Sequence, residues 1–257
     1  MRGAVKLRFS DKFKQSNRPF LCTPIIGKSK EELIDEIASV SIKNPDIIEW
    51  RVDYFQDIHD FEKVVEVAQT LKEVSKDIPL LLTLRSVAEG GNPTSLSSLK
   101  VVELLIHICK TSFIDLIDYE INNPDEDIRQ IKEAALEHGK FLILSFHDYS
   151  KTPSNEELLN IFKRAQSLGA DVAKIAVMPN DHGDVIRLLD VTNQAKDVLQ
   201  IPVATMSLNS LGAISRMFGW VFGSRLIYTV GTNRSAPGQI PIEEMQELIK
   251  TIGTYQE

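Results

Sequence analysis

The sequence predicts a single eight-stranded (β/α) barrel, and three observations lead to that fold class. Eight short apolar or β-branched runs recur along the chain, and their first residues lie 24 to 33 positions apart. Several runs, such as the one at residues 80–84, are apolar at consecutive positions, which is typical of parallel strands covered on both faces. The segments between the runs repeat apolar residues at positions i, i+3 and i+4, the spacing of one helix face. Together these features predict an α/β protein of the TIM-barrel architecture.

Taken in chain order, the predicted strands alternate with segments that carry helix-start and helix-stop signals. One helix is expected to begin after Ser154, a good N-cap residue, and another to run from Pro124 to near Gly139. No segment rich in Gly, Ser or Pro separates the units, so residues 1–257 are expected to form one domain. The strands are expected at residues 20–25, 47–52, 80–84, 113–119, 140–146, 171–177, 202–207 and 226–230.

An extension at residues 1–19 precedes the first predicted strand. Residues 4–9 within it are expected to form a hairpin that closes the bottom of the barrel. A doubly wound open sheet is the alternative architecture. It would need a phosphate-binding loop such as G-x-G-x-x-G after an early strand, and the sequence has none.

The composition is that of an ordinary globular protein. Hydrophobic residues make up 43% of the chain and charged residues 25%, which excludes a disordered chain, a collagen and a disulfide scaffold. The 29 basic and 36 acidic side chains leave a net charge of −7, which argues against nucleic acid or a membrane surface as the main partner. Cys22 and Cys109 lie alone in apolar runs, so both are expected to be reduced core thiols of a cytoplasmic protein.

Lys174 is the residue that most directly indicates a reaction. It lies in the middle of the sixth predicted strand, where alternation places it on one face with Val172 and Ala176. Burial removes hydration from an ammonium group and so favours its neutral form. A neutral lysine amine attacks ketones and aldehydes to give an iminium, which makes Lys174 a candidate nucleophile. The alternative is a lysine that reaches the strand end or pairs with a buried carboxylate.

His147 ends the fifth predicted strand and is a candidate general acid and base. Barrel enzymes assemble their sites at the carboxyl ends of the strands, and an imidazole titrates near neutral pH. A structural histidine bonded to a loop carbonyl is the alternative. The other histidines show no His-x-His or His-Glu-x-x-His spacing, so no metal site is expected.

The second, third and fourth predicted strands carry charges that an apolar strand does not need. Glu49 and Arg51 share one face of the second strand, Arg85 ends the third, and Glu89 follows in an acidic loop. Such charges are costly unless they pair or meet a polar ligand, so they indicate either a polyhydroxylated anionic substrate or mutual salt bridges. The fourth strand adds three carboxylates, those of Asp115, Asp118 and Glu120.

Two later segments add groups that could hold an anion or close the site. Arg216 lies in a helix expected just past the seventh strand, where its guanidinium could bind a carboxylate with two hydrogen bonds. After the eighth strand, Ser235 and Gln239 offer hydroxyl and amide groups in a loop that contains Pro237 and Gly238. That loop is either a lid over bound substrate or an ordinary surface turn.

Five short motifs carry these residues, and together they resemble one enzyme family. Each motif alone is weak evidence for any family. Their order along the chain and their places on the strands make the set specific for one family. The set resembles the type I 3-dehydroquinate dehydratases, over about residues 20–252. The motifs are Glu49-Trp-Arg-Val-Asp, Thr83-Leu-Arg-Ser-x-x-Glu-Gly-Gly, Ser145-Phe-His-Asp, Lys174-Ile-Ala-Val-Met-Pro and Ser235-Ala-Pro-Gly-Gln.

The resemblance implies an activity and a role for each residue. It implies a homodimer of (β/α)₈ barrels that converts 3-dehydroquinate to 3-dehydroshikimate, the third step of the shikimate pathway. Water would leave by syn elimination through a lysine Schiff base, without a metal or cofactor. Lys174 would form the imine, His147 would move the protons, and Glu89 would orient His147. The residues implied to bind substrate are Glu49, Arg51, Arg85, Arg216, Ser235 and Gln239.

Two other functions are weighed against this one. Aldolase-like Schiff-base barrels that act on phosphorylated sugars need a phosphate cradle after strands seven and eight. The loop at residues 235–239 offers hydroxyl and amide groups with a single glycine instead. An inactive barrel that serves as a binding or structural partner would be expected to lack Lys174 or His147, and both are present.

Overall fold

The structure is a computed structural model that describes residue 13, residue 16 and residues 18–254. Strands and helices alternate along this range, as the periodicity predicted. The strands are β1 (Phe20–Ile25), β2 (Ile47–Arg51), β3 (Leu80–Thr83), β4 (Leu116–Glu120), β5 (Phe141–Asp148), β6 (Val172–Val177), β7 (Val203–Ser207) and β8 (Leu226–Val230). The helices that follow them are α1 (Lys30–Ser41), α2 (Phe61–Ser75), α3 (Ser98–Cys109), α4 (Asp125–Glu137), α5 (Asn155–Ser167), α6 (His182–Val198), α7 (Ala213–Phe222) and α8 (Ile242–Gly253).

The strands form one curled parallel sheet. Its order is β7-β6-β5-β4-β3-β2-β1-β8, so each strand lies beside its neighbour in sequence and β1 joins β8. The remaining edges meet at a bridge between Val203 and Ser224, where the Arg225 N–H donates to the Val203 carbonyl at 2.8 Å. The predicted (β/α) barrel architecture is therefore confirmed.

Alternation along the strands divides the core into two layers. On β6, Val172 and Ala176 pack inside the barrel, whereas Ile175 and Val177 pack against the helices. Lys174 lies on the inner side and reaches the pocket at the carboxyl end of the barrel. Lys174 thus shares a face with Val172 and Ala176, as period-two alternation predicted, and the structure shows that this face is the inner one.

The helix boundaries follow from capping signals in the sequence. Before α5, the Ser154 hydroxyl accepts the Glu157 N–H at 3.3 Å, and the Glu157 carboxylate accepts the Ser154 N–H at 2.8 Å. Helix α4 begins directly after Pro124 and ends before Gly139, whose φ of 67° lies in the left-handed region. Both helices lie where the sequence predicted them. None of the helices in residues 18–254 is long and apolar enough to cross a membrane.

At the amino-terminal end of the strands, Phe13 fills the bottom of the barrel. Its ring stacks on that of Phe20 with centroids 4.3 Å apart, and it is buried. The Arg225 guanidinium donates to the Phe13 carbonyl at 2.8 Å and so links this residue to the start of β8. The hairpin predicted at residues 4–9 lies outside the described residues.

Strands β1 and β8 have the predicted bounds, and those of the other strands differ from the prediction by one to three residues, most at the start of β4. Strand β4 begins at Leu116 rather than at residue 113, and Asp115 lies before it. The Asp115 carboxylate accepts hydrogen bonds from Lys72 Nζ at 2.8 Å and from the Leu80 N–H at 2.9 Å, which places it at the amino-terminal end of the barrel. A two-residue strand that was not predicted, β9 (Ile240–Pro241), pairs with β8 after the last loop.

Candidate active site

The carboxyl ends of the strands surround a pocket of about 420 Å³. It lies at the end of the barrel where enzymes of this architecture bind their substrates. All the residues predicted to act in catalysis or to bind substrate line it, although they come from four strands or the turns that follow them, one helix and the loop after β8. These residues are Glu49, Arg51, Arg85, Glu89, His147, Lys174, Arg216, Ser235 and Gln239.

Lys174 projects from β6 into this pocket and is only 5% exposed. Its Nζ donates to Asp118 Oδ2 at 3.0 Å and lies 4.1 Å from the centroid of the Tyr228 ring. Of the alternatives left open by the sequence, the one observed is a lysine paired with a buried carboxylate.

Asp118 is held in place by Arg85 and Ser145. Arg85 Nη2 and the Ser145 hydroxyl each donate to Asp118 Oδ1 at 2.6 Å. Burial by itself would raise the pKa of Asp118, but Arg85, Lys174 and the Ser145 hydroxyl outweigh it and lower the pKa to about 2. For Arg85, burial acts against the charge, but the nearby carboxylates, Asp118 foremost, raise its pKa above the ordinary value. Asp118 is therefore a fixed negative charge next to Lys174 Nζ.

His147 and Glu89 form a hydrogen-bonded pair, although they lie 58 positions apart in sequence. His147 Nδ1 is 2.8 Å from Glu89 Oε2, which also accepts the His147 backbone N–H at 3.1 Å. Burial lowers the pKa of His147 well below its ordinary value, and the charges of Arg85, Lys174 and Arg51 lower it further. With Nδ1–H directed at Glu89, the neutral ring carries its basic lone pair on Nε2.

A short 3₁₀ turn that ends at Glu89 positions this carboxylate. Glu89 Oε1 accepts a hydrogen bond from Asn122 Nδ2 at 3.0 Å. Burial, and after it the charge of Glu120, raises the pKa of Glu89 to about 8. Gly90 follows with a φ of 82°, and a Cβ there would lie 2.3 Å from the Tyr149 ring. The turn that directs Glu89 at the histidine therefore requires glycine next to it.

Glu49 and Arg51 lie on the inner face of β2, and both have partners within the protein. Arg51 Nε and Nη2 each donate at 2.8 Å to a carboxylate oxygen of Asp53. Glu49 Oε1 accepts the Thr83 hydroxyl at 2.7 Å. The mutual salt bridges that the sequence left open are thus present at Arg51, and they leave both side chains at the pocket wall.

Arg216 on α7 differs from the other arginines of the pocket. It is buried, its Nη2 donates to the Pro237 carbonyl at 3.1 Å, and its Nη1 lies 3.7 Å from the Met206 sulfur. Within residues 18–254 it forms no salt bridge, and its Nε has no hydrogen-bond partner. Burial lowers the pKa of Arg216 to about 10, so the group stays charged at neutral pH. A buried guanidinium without a counter-ion favours an anionic ligand.

The loop after β8 contributes Ser235 and Gln239. Gln239 Nε2 donates to the Ser235 hydroxyl at 3.0 Å, and its Oε1 accepts the Ser235 N–H at 2.9 Å. Glu36 on α1 anchors the start of the loop, because its Oε1 accepts from the Thr232 hydroxyl at 3.0 Å and from Asn233 Nδ2 at 3.1 Å. The Glu36 contacts are thus made at residues 232 and 233, before the segment 234–238 that reaches the pocket.

Sequence reasoning did not single out Tyr149 or Tyr228, although both line the pocket. Tyr228 shares the inner layer with Leu226, so period-two alternation along β8 would have found it. Tyr149 lies in the loop after β5, where no periodicity applies. Asp118 was noted only as one carboxylate of the fourth strand. Its contact with Lys174 joins residues 56 positions apart, and no sequence pattern signals it.

The pocket combines a buried amine, an imidazole, a buried guanidinium that forms no salt bridge within residues 18–254, and several polar groups. Such a set can form an imine with a ketone, move a proton at a neighbouring carbon and hold a carboxylate. In the part of the chain that the structure describes, no three His, Cys, Asp or Glu side chains are grouped so as to hold a metal ion.

Comparison with known proteins gives a consistent result. The family model for type I 3-dehydroquinase matches residues 21–256. A 3-dehydroquinate dehydratase of Geobacillus sp. (strain WCH70) is 43% identical over 235 residues, which cover 91% of this chain and 90% of the relative. The crystal structure of 3-dehydroquinate dehydratase from Geobacillus kaustophilus HTA426 is 39% identical with a TM-score of 0.92, and the match covers 94% of each chain.

A type I 3-dehydroquinate dehydratase from Clostridium difficile has a similar structure, with 40% identity and a TM-score of 0.90. The match covers 93% of this chain and 94% of that one. Family match, relatives and structures thus agree over nearly the whole length, from the first barrel strand to the last helix. The chain therefore belongs to the type I 3-dehydroquinase family of enzymes.

Proposed function

We propose that this protein dehydrates 3-dehydroquinate to 3-dehydroshikimate, a hydro-lyase reaction and the third step of the shikimate pathway to chorismate and aromatic amino acids. The observation that carries the proposal is the placement of Lys174 and His147 on adjacent strands with both side chains in one pocket. His147 pairs in register with Ala176, two residues beyond Lys174. The amine and the imidazole are thus placed to act on neighbouring carbons of one bound ring.

Lys174 supplies the covalent step. Its ammonium group gives up a proton, the resulting amine attacks the C3 ketone, and the ketone oxygen leaves as water with that proton and a second one from the nitrogen. A protonated imine remains. An iminium withdraws electrons more strongly than a ketone, so the adjacent C2 proton becomes removable by a base that works near neutral pH. The Clostridium difficile relative was solved with covalent modified comenic acid, which supports a covalent route.

His147 moves the protons. Its neutral imidazole takes the C2 proton to give an enamine, and the imidazolium then delivers that proton to the C1 hydroxyl, which leaves as water from the same face. Glu89 binds Nδ1 at 2.8 Å, so it orients the ring and stabilises the imidazolium that forms. Hydrolysis of the product imine releases 3-dehydroshikimate and frees Lys174.

The remaining residues of the pocket bind the substrate. Arg216 holds the carboxylate, because its guanidinium is buried and, in residues 18–254, has no carboxylate partner. The hydroxyl and carbonyl groups of the ring are bound by the other polar side chains, namely Glu49, Arg51, Arg85, Ser235 and Gln239.

Mass spectrometry after borohydride reduction tests this function. The protein is incubated with 3-dehydroquinate, reduced and digested, and formation of 3-dehydroshikimate is followed by its absorbance in a parallel assay. We expect one adduct, on the peptide that contains Lys174, together with product formation. Absence of both product and adduct would contradict the proposal.

The assembly and location also remain proposals. We infer one domain over residues 1–257 and a cytoplasmic homodimer that acts on a small molecule without a cofactor, a nucleic acid or a membrane. An exposed apolar stripe on α7 supports contact between two copies; it consists of Ile214, Phe218, Val221 and Phe222. Light scattering that gives the mass of one chain at assay concentration would contradict the dimer.

Replacing Arg216 with alanine is expected to weaken substrate binding. Hydrogen bonds to charged groups contribute about 1.5–3 kcal/mol, so KM should rise by about 10- to 100-fold while an adduct still forms at saturating substrate. Arg187→Ala is the matched control, because that guanidinium pairs with Asp184 outside the pocket and its loss should leave KM unchanged. An unchanged KM in Arg216→Ala would place the carboxylate elsewhere.

The value of kcat/KM is expected to rise with pH through the titration of the His147–Glu89 pair. The base form needs an ionised Glu89, whose pKa burial and Glu120 raise to about 8, so protonation below that pH removes the base. In Glu89→Gln only His147 titrates, and its pKa is lowered by burial. The rising limb of the pH profile should therefore move to lower pH in this variant. If the rising limb stayed at the same pH in Glu89→Gln, its assignment to the His147–Glu89 pair would be wrong.

Hydrogen exchange is expected to separate the anchored and moving parts of the loop after β8. Residues 232 and 233, which contact Glu36, should change little between states. Residues 234–238 should exchange faster in the free protein than in the borohydride-reduced adduct, because the loop is expected to close over bound ligand and so to exclude water from the imine during the reaction. Equal exchange of residues 234–238 in both states would count against a lid.

A further inference from the structure

Two groups contact Lys174 Nζ in a defined arrangement that a nucleophilic amine does not need. Asp118 on β4 presents Oδ2 at 3.0 Å, and Tyr228 on β8 presents its ring face with the centroid at 4.1 Å. Around the barrel, β6 lies between these two strands. Both groups are buried, so neither is displaced by solvent. A carboxylate and an aromatic face are the two kinds of group that bind a cation in a dry site.

Other features of the pocket oppose a positive charge at this nitrogen. Lys174 is almost fully buried, so little water solvates it. The guanidinium groups of Arg51, Arg85 and Arg216 and the imidazole of His147 line the same pocket. Each of these groups, when charged, repels a cation on Nζ.

The other acidic groups near Lys174 Nζ either hydrogen-bond to other side chains or carry no charge. Glu49 accepts the Thr83 hydroxyl, and Glu89 accepts from His147. The Cys22 thiol is fully buried, and burial raises its pKa well above the ordinary value, so it carries no charge near neutral pH. Of the carboxylates in residues 18–254, Asp118 is therefore the one in ion-pair contact with Nζ.

We propose that Asp118 and the Tyr228 ring form a fixed site for positive charge that keeps the imine nitrogen of Lys174 protonated during the reaction. This inference rests on the imine proposed above. Asp118 acts through Lys174 and is a positioning residue, whereas the Tyr228 ring touches the reacting nitrogen.

The charge balance of the reaction explains why such a site is useful. Lysine ammonium and ketone give iminium and water; the N–C bond forms, the oxygen leaves with two protons, and one proton stays on nitrogen. The positive charge is thus at the same atom before and after imine formation. When His147 takes the C2 proton, the electron pair moves to nitrogen and the charge passes to the imidazole. Loss of the hydroxyl as water then restores the iminium.

The position of Asp118 is independent of the lysine. Arg85 Nη2 and the Ser145 hydroxyl both hold its Oδ1 at 2.6 Å, which leaves Oδ2 directed at Nζ. No rearrangement is needed when charge appears on the imine, which is the condition for efficient electrostatic stabilisation.

Selective reduction measures the protonation of the imine. Cyanoborohydride reduces the protonated imine, whereas borohydride reduces both forms. Each protein is incubated with 3-dehydroquinate at a series of pH values, and the adduct on Lys174 is quantified by mass spectrometry with each reductant. In Asp118→Asn we expect the midpoint of the cyanoborohydride profile to fall by about 1–3 pH units, the effect of a contacting opposite charge.

Asp115→Asn is the matched control, because Asp115 pairs with Lys72 at the opposite end of the barrel. Its midpoint should equal that of the wild type. A purely structural role for Asp118 would lower the amount of adduct with both reductants alike and leave the midpoint in place, which would overturn the inference. Absence of any Lys174 adduct in the wild-type protein would instead overturn the proposed function.

A second pair of variants decides the question if Asp118→Asn does not fold. Tyr228→Phe keeps the ring face, and Tyr228→Leu removes it. We expect the Phe variant to keep the wild-type midpoint and the Leu variant to lower it by about 1 pH unit or less, since cation–π contacts are weaker than a buried ion pair. Any other pattern, such as equal midpoints in the two variants, would overturn the inference.

Discussion

Replacing Lys174 with alanine is expected to abolish turnover and leave the fold intact. The amine is the nucleophile of the proposed covalent route, and loss of such a group costs on the order of 10⁴-fold or more in kcat. The fold is expected to survive because Asp118 keeps its contacts with Arg85 and Ser145 when the lysine is removed. Product absorbance, the mass of the borohydride adduct and circular dichroism measure these effects.

Lys72 offers a matched control for this experiment. Its Nζ lies 2.8 Å from Asp115 Oδ2, so it forms a lysine–aspartate pair like that of Lys174 but outside the pocket. Lys72→Ala should keep both turnover and adduct. A reducible adduct that persists at another lysine in Lys174→Ala would show that the Schiff-base assignment is wrong.

Replacing His147 with alanine is expected to slow turnover and to let a covalent species accumulate. Lys174 can still form the imine, but the C2 proton then has no base. General acid–base catalysis contributes about 10²–10⁴-fold, and the loss in kcat should be at least this large because the same group also protonates the leaving hydroxyl. Mass spectrometry without borohydride should show an adduct of substrate or product mass on Lys174.

His107 is the matched control for this variant. Its Nε2 lies 3.6 Å from Glu62 Oε1 on helices outside the pocket, so His107→Ala removes a histidine near a glutamate without touching the site. It should turn over at the wild-type rate without an adduct. If His147→Ala behaved in the same way, another group would have to handle the proton, and Glu89 would be the first candidate.

Much of the barrel could be predicted because the patterns that encode it are local. Alternation on the sixth strand grouped Lys174 with Val172 and Ala176, since successive side chains of a strand point to opposite faces, and the structure showed that this face is the inner one. Ser154 predicted a helix start, since its side chain can accept a free N–H of the first turn. The start of β4 was predicted too early because Asp115 binds Lys72, a contact between distant parts of the chain.

The residues of the candidate site could be named from ordered motifs, but their partners could not. Only the resemblance to the family indicated that Glu89 orients His147. The structure places Glu89 Oε2 2.8 Å from His147 Nδ1. The contact of Lys174 with Asp118 and the Tyr228 ring was not predicted. Both contacts depend on how strands are arranged around the barrel, which local periodicity does not describe.

By itself, the sequence determined which side chains share a strand face and at which end of the strands they lie, because both follow from position within a strand. Only the tertiary structure decided how their charges are paired. Arg51 and Arg85 are in ion-pair contact with aspartates, whereas Arg216 has no carboxylate partner in residues 18–254. Coulomb energies depend on distance and burial, and strand register and barrel closure determine both, so arginines that look alike in the sequence differ in what they can bind.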